Sequence, residues 1–141
     1  MTVEADHAPR FSRKFTARPE HIDELGHVNN AVWVQWIQDL ATQHWYAAAR
    51  PQDRDAYIWV VVRHEIDYRG NIRDGESVTG ETFIPDGPKG ARFGRAVEFR
   101  NASGKIVVSA LTMWAMLDAV SLRPQRIGAD IAAPFLESTA P

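Results

Sequence analysis

The chain has 141 residues, the usual size of one domain and short for two, so we expect a single domain over 1–141 with residues 1–9 and 130–141 peripheral or frayed. Sixteen Lys and Arg against eighteen Asp and Glu leave a net charge of −2, with both signs scattered, which excludes the basic field that a nucleic-acid partner requires. Cysteine is absent, which rules out disulfides, thiolate metal sites and a cysteine nucleophile.

The N-terminal MTVEADHAPR lacks an apolar segment of signal-peptide length, and no apolar run approaches the roughly 20 residues needed to cross a bilayer. The expected location is the cytoplasm, with no membrane partner. Phe11 to Ala17 alternate and carry two phenylalanines, which predicts a first strand ended by Pro19. The next stretch, HIDELGHVNN from His21 to Asn30, concentrates carboxylates, imidazoles, a glycine and two amides in a loop. From Asn30 to about Ala49 the period becomes helical, with Trp33, Trp36, Ile37, Leu40, Ala41 and His44 on one face and Gln35, Gln38, Asp39, Thr42 and Gln43 opposite. Asn29 or Asn30 can cap this helix, and Pro51 limits its continuation.

Thereafter the period is two. YIWVVVRHEIDY, ESVTGETFIP, ARFGRAVEFR and KIVVSALTMWAMLD read as four strands separated by the turn sequences RDGE, PDGPKG and NASGK. The last strand is apolar on both faces, so one face can cover the helix and the other wants a partner. The tail RPQRIGADIAAPFLESTAP is rich in proline and alanine and is expected to run over the surface. One helix followed by antiparallel strands makes the fold class α+β, a curled sheet around one long helix.

The loop is where chemistry concentrates. Asp23 lies seven residues before Asn30, where the helix begins, and unpaired amides at a helix N-terminus attract developing negative charge. A carboxylate beside an oxyanion site suits acyl-group hydrolysis, and Gly26 lets the backbone turn sharply or approach a ligand. Plainer readings stand alongside: Asp23 as an Asx-turn residue, Asn29 and Asn30 as caps, His27 as a hydrogen-bonded loop histidine, and the Trp33–Trp36–Leu40 stripe as core. His21, Asp23 and His27 do not follow a metal-ligand spacing, and no metal is expected. His44 and His64, the latter in phase with Val62 and Ile66, read as satisfied core or interface residues. PDGPKGARFG joins two strands without a helix, so it is a hairpin rather than a phosphate loop, although Lys89 and Arg92 could hold a phosphate by charge. No G-x-S-x-G elbow is present.

The segment IDELGHVNNAVWVQWIQDLA resembles the D-x-x-G-H-V-N-N-x-x-Y signature of hotdog-fold acyl-CoA thioesterases of the 4-hydroxybenzoyl-CoA thioesterase-like family, and HEIDYRGNIRDGESV resembles that family's second-strand phrase. The likeness extends in element order over Phe11 to Ile127. It implies a hotdog fold of about five strands, with subunits joined edge to edge as homodimers and often paired again as tetramers. It further implies that Asp23 is the catalytic aspartate, as general base or nucleophile, and that the amide near Asn30 polarises the thioester carbonyl. Gly26, His27, Val28, Asn29 and Trp33 would then touch substrate. Lys89 and Arg92, and more distantly Arg123 and Arg126, would hold the phosphates of coenzyme A, which is part of the substrate; no separate cofactor is implied. Two positions depart from the family pattern: Trp33 stands where relatives carry tyrosine, and Gln38-Asp39 replaces an acidic pair, so the acyl pocket differs in depth and polarity. Two other readings compete. A hotdog hydratase or dehydratase uses D-x-N-P-x-H, whereas Asp23 and His27 are four apart and Asn-Pro is missing; the third is a non-catalytic acyl-thioester binder on the same fold.

Overall fold

The structure is a computed structural model and describes residues 9–137. Strand β1 (Phe11–Thr16) leads through a 3-10 turn (Pro19–His21) and the loop into helix α1 (Asn30–Ala48). A short helix α2 (Pro51–Ala56) precedes β2 (Tyr57–Tyr68), and β3 (Ser77–Phe83), β4 (Arg92–Arg100) and β5 (Ile106–Asp118) follow. The strands form one antiparallel sheet in the order β1-β3-β4-β5-β2, which leaves β1 and β2 as its edges. A sheet wrapped around one long helix is what the sequence pattern predicts, and it is the hotdog arrangement that the family resemblance implies.

Helix α1 is placed by its stripe. Trp33, Trp36, Ile37, Leu40, Ala41, His44 and Trp45 are buried, while Gln35, Thr42 and Gln43 are exposed. Its first half packs on Val78, Val97, Phe99 and Val108. The two elements approach closely at Gly80, where a Cβ would lie 2.8 Å from Phe99 Cε1 and 3.1 Å from Leu40 Cδ2.

The second half of α1 meets a different cluster, and here one expectation is corrected. Residues 130–137 are not a peripheral tail, since helix α3 (Ala129–Leu136) buries Ile131, Ala132 and Phe135. Phe135 stacks on Trp45 with ring centroids 5.6 Å apart and meets Phe93 edge-on. The physical reason is spacing: Ile131, Ala132 and Phe135 lie at i, i+1 and i+4, one face of a helix, so the segment has an apolar stripe to bury. The expectations for residues 1–8 and 138–141 lie outside the described residues.

Two smaller differences follow from local chemistry. Pro51 starts α2 at its first turn, where its missing N–H is no loss. In β2 the pairing slips between Val61, opposite Trp114, and Arg63, opposite Met113, so Val62 bulges outward and His64 is not in phase with it.

Candidate active site

The loop 21–29 closes on itself as a small hairpin. Ile22 and Val28 form an antiparallel bridge, the Asp23 N–H donates to His27 O at 2.9 Å, and the Asn29 N–H donates to His21 O at 2.9 Å. Gly26 takes φ = +78°, the left-handed region, at the tip of this turn. Val28 is buried and anchors the loop to the β2–β3 connection: its N–H donates to Ile72 O, and its carbonyl accepts from Asn71 Nδ2 at 3.1 Å.

Asp23 adopts the Asx turn. Its Oδ1 accepts from the Leu25 amide at 2.9 Å and the His27 amide at 3.3 Å, whereas Oδ2 has no partner among the described residues and is not sealed off. The helix start shows the same division. Asn29 is the N-cap, its Oδ1 accepting from the Ala31 N–H at 2.8 Å, and its carbonyl accepts from Val32 and Trp33. The amide of Asn30 has no acceptor among the described residues, and Asn30 is exposed. Capping therefore leaves one carboxylate oxygen and one helix-terminal N–H unspent on the same loop-helix unit.

The other candidates divide. His27 is half-buried on this loop. His21 is held by its Nδ1, which accepts from the Arg18 amide, and by its ring against Trp36. Trp33 is wholly buried against Trp36 and Phe99, so it belongs to the core and lines no open surface. Among the described residues no three His, Asp or Glu side chains converge as a metal-ligand set, and no described helix is long and apolar enough to cross a membrane.

The basic candidates lie elsewhere in the chain. Lys89 and Arg92 bond to each other's backbone at the β3–β4 hairpin, and the Ile127 N–H donates to Gly90 O, which brings Arg126 beside them; Arg123 is next to the end of β5. All four are exposed. The loop of Asp23 sits where β1 ends and β3 begins, at the opposite end of the sheet, about 27 Å away along a nine-residue strand such as β4.

Sequence reasoning missed three residues. Asn71 clamps the loop, and only its place in a turn-rich NIRDGE was visible. Arg73 lies over the loop, its Nη1 3.5 Å from where a Cβ on Gly26 would stand. Arg95, on β4, is 7% exposed and faces the interior between Phe93 and Val97; the alternation of ARFGRAVEFR carries that signal, an arginine in the phase of an apolar row.

Comparison with known proteins agrees with this architecture. A family model described as the thioesterase-like superfamily matches residues 17–135. No curated protein sequence matches significantly. Among solved structures, the chain is similar to a hypothetical protein of Staphylococcus aureus in complex with CoA, with TM-score 0.80, 15% identity and coverage of 95% of this chain and 89% of that one. It is also similar to a 1,4-dihydroxy-2-naphthoyl-CoA thioesterase from Synechocystis, with TM-score 0.79, 14% identity and coverage of 94% and 100%. An acyl-ACP thioesterase from Bacteroides thetaiotaomicron gives TM-score 0.79 and 20% identity, this chain covering 99% of itself and 58% of that enzyme. At these identities the structures speak for the fold, and the family model, which spans most of the sequence, speaks for kinship: the chain belongs to the thioesterase-like superfamily and is a thioester hydrolase of hotdog fold.

Proposed function

We propose that the protein hydrolyses acyl-CoA thioesters, with Asp23 acting on the carbonyl carbon and the Asn30 N–H receiving the developing oxyanion. One observation carries this reading: the Asx turn and the helix cap occupy Asp23 Oδ1 and Asn29 Oδ1, and leave Asp23 Oδ2 and the Asn30 amide without partners among the described residues. Oδ2 takes a proton from water as the water attacks, or itself attacks to give an anhydride that water then opens; either way the C–S bond breaks and the thiol departs with a proton. A backbone donor aimed at such an oxyanion is typically worth about 10²–10³ in rate.

A second copy completes the site. β2 is an open, twelve-residue edge with Ile58, Val60 and Val62 exposed, and two identical strands related by a two-fold axis pair antiparallel. A pairing centred on the strand lays the Tyr57 end of one chain beside the Tyr68 end of the other. Tyr68 reaches the helix start, its Oη donating to Asn30 O at 3.4 Å, so Lys89, Arg92, Arg123 and Arg126 of one copy approach Asp23 of the other, where they would hold the CoA phosphates together with Arg73. The outer sheet face, with Leu111 45% exposed, offers a further contact for a tetramer.

The test is thiol release over short, long, branched and aromatic acyl-CoAs, which a protein without cysteine reports free of background. Asp23→Asn keeps an oxygen for the Leu25 and His27 amides, so melting should be unchanged while turnover falls about 10²–10⁴-fold. Near wild-type turnover by Asp23→Asn would refute the assignment.

A further inference from the structure

Among the described residues, the interior holds a cation without a counter-ion. Arg95 Nη1 donates to His44 Nδ1 at 2.8 Å and to Thr82 Oγ1 at 3.1 Å, and Thr82 passes its own proton to Ala96 O at 2.8 Å. Both acceptors are neutral: burial, followed by the charges of Arg95 and Arg13, pushes the His44 pKa down to about 3. No carboxylate of the described residues pairs with Arg95, although burial lowers its pKa only to about 10 and it remains charged at neutral pH. A buried charge held only by neutral groups is costly, and a matching anion removes that cost.

The surroundings show where such an anion fits. A guanidinium carries five N–H donors, and those not used by His44 and Thr82 have no partner among the described residues yet are not sealed from open space. Arg95 lines a cavity of about 230 Å³ between the C-terminal half of α1, α3 and the sheet. Trp45, Trp59, Phe93 and Trp114 wall it, Arg54 is a second cation along its lining, and none of the described acidic residues lines it. That volume is below the usual drug-sized pocket and suits a single ring or a short chain.

We propose that this cavity binds a carboxylate carried on a small apolar body, its oxygens accepting from the free N–H groups of Arg95 while the ring or chain rests on Trp45, Trp59 and Phe93. Two sources share that chemistry: a free organic acid, and the far-end carboxylate of a dicarboxylic acyl group whose thioester is held at the partner copy's active site. The second source rests on the thioesterase reading and on the β2 pairing; binding itself rests on neither.

Calorimetric titration of the intact protein with hexanoate and hexanamide, and with benzoate and benzamide, compares charge at constant shape. We expect each acid to bind at least about tenfold more tightly than its amide, Arg95→Met to lose that difference, and Arg95→Lys to keep part of it. Equal binding of acid and amide, binding of neither, or an unchanged difference in Arg95→Met overturns the proposal. The wild-type acid-to-amide comparison decides it alone should Arg95→Met fail to fold by circular dichroism. Thiol release from adipoyl-CoA against hexanoyl-CoA then separates the sources: a preference for adipoyl-CoA that Arg95→Met abolishes assigns the cavity to the acyl group, and acid binding without that preference assigns it to a free acid. Because the titration needs no turnover, a protein inactive on acyl-CoAs that still discriminates acid from amide refutes the acyl-CoA reading and leaves the cavity standing.

Discussion

His44 shows how a single side chain can tie stability to pH. It sits between Phe11, stacked at 4.7 Å, and Phe135, edge-on at 4.9 Å, and must stay unprotonated at Nδ1 to accept from Arg95. Its folded pKa of about 3 lies below its free value of 6.5, so the unfolded chain takes up a proton first as the pH falls. Stability is undiminished above 6.5 and declines from there toward 3, by about 2 kcal/mol at pH 5. Urea midpoints between pH 7 and pH 5 should show this decline, a window in which most exposed carboxylates stay ionised, and His44→Gln should remove most of it, leaving the smaller share of His64, whose pKa burial also lowers. An equally steep decline in the variant would show that another group is responsible. Gly80 makes the complementary point about shape. A methyl group there meets the rings of Phe99 and Phe15 and the end of Leu40, all held in the core, so Gly80→Ala should cost about 1–3 kcal/mol by chemical denaturation.

At the level of elements, α3 closes the second half of the core, and its contribution can be measured. Phe135 is 1% exposed and touches His44, Trp45 and Phe93, so Phe135→Ala should destabilise by about 3–5 kcal/mol while leaving the loop of Asp23, at the other end of the sheet, intact. A loss below about 1 kcal/mol would return the segment to the surface role its composition suggests. Elements of this kind mark what the sequence made legible. The stripe of α1 and the turn-bounded strands could be read because their periods differ and their ends carry Pro, Gly or Asn. Helix α3 was hidden by proline and alanine, since Pro134 inside a short segment argues against a helix even though Ile131 and Phe135 keep helical spacing. The bulge at Val62 was illegible for another reason: three consecutive valines carry no phase, so a slip of one residue leaves no trace. The loop was the most legible part of the site, because Asx turns and caps are local. The buried Arg95 and the separation of the basic residues from Asp23 depend on which strands pair, which is not local.

For the whole molecule the question is what covers β2. Edge strands are ordinarily blunted by charge or a bulge. β1 follows that rule with Arg13 and Lys14, whereas β2 carries Arg63, Glu65 and Asp67 only beyond its bulge and leaves Ile58, Val60 and Val62 between 41% and 43% exposed. A copy of the same edge, antiparallel about a two-fold axis, satisfies the free backbone groups and the apolar row together. The proposed pairing would bring Lys89, Arg92, Arg123, Arg126 and the apolar cavity of one copy to the Asp23 loop of the other, where the chain's own Arg73 already lies. Assembly and catalysis should therefore fail together. Val60→Lys puts a charge in the middle of the row without touching the α1 core; sedimentation should shift to the monomer, circular dichroism should be retained, and thiol release should fall with the dimer fraction. A monomeric Val60→Lys that keeps wild-type turnover per chain would show that one chain holds the complete site, and a variant that still sediments as the wild type would show that β2 is not the interface.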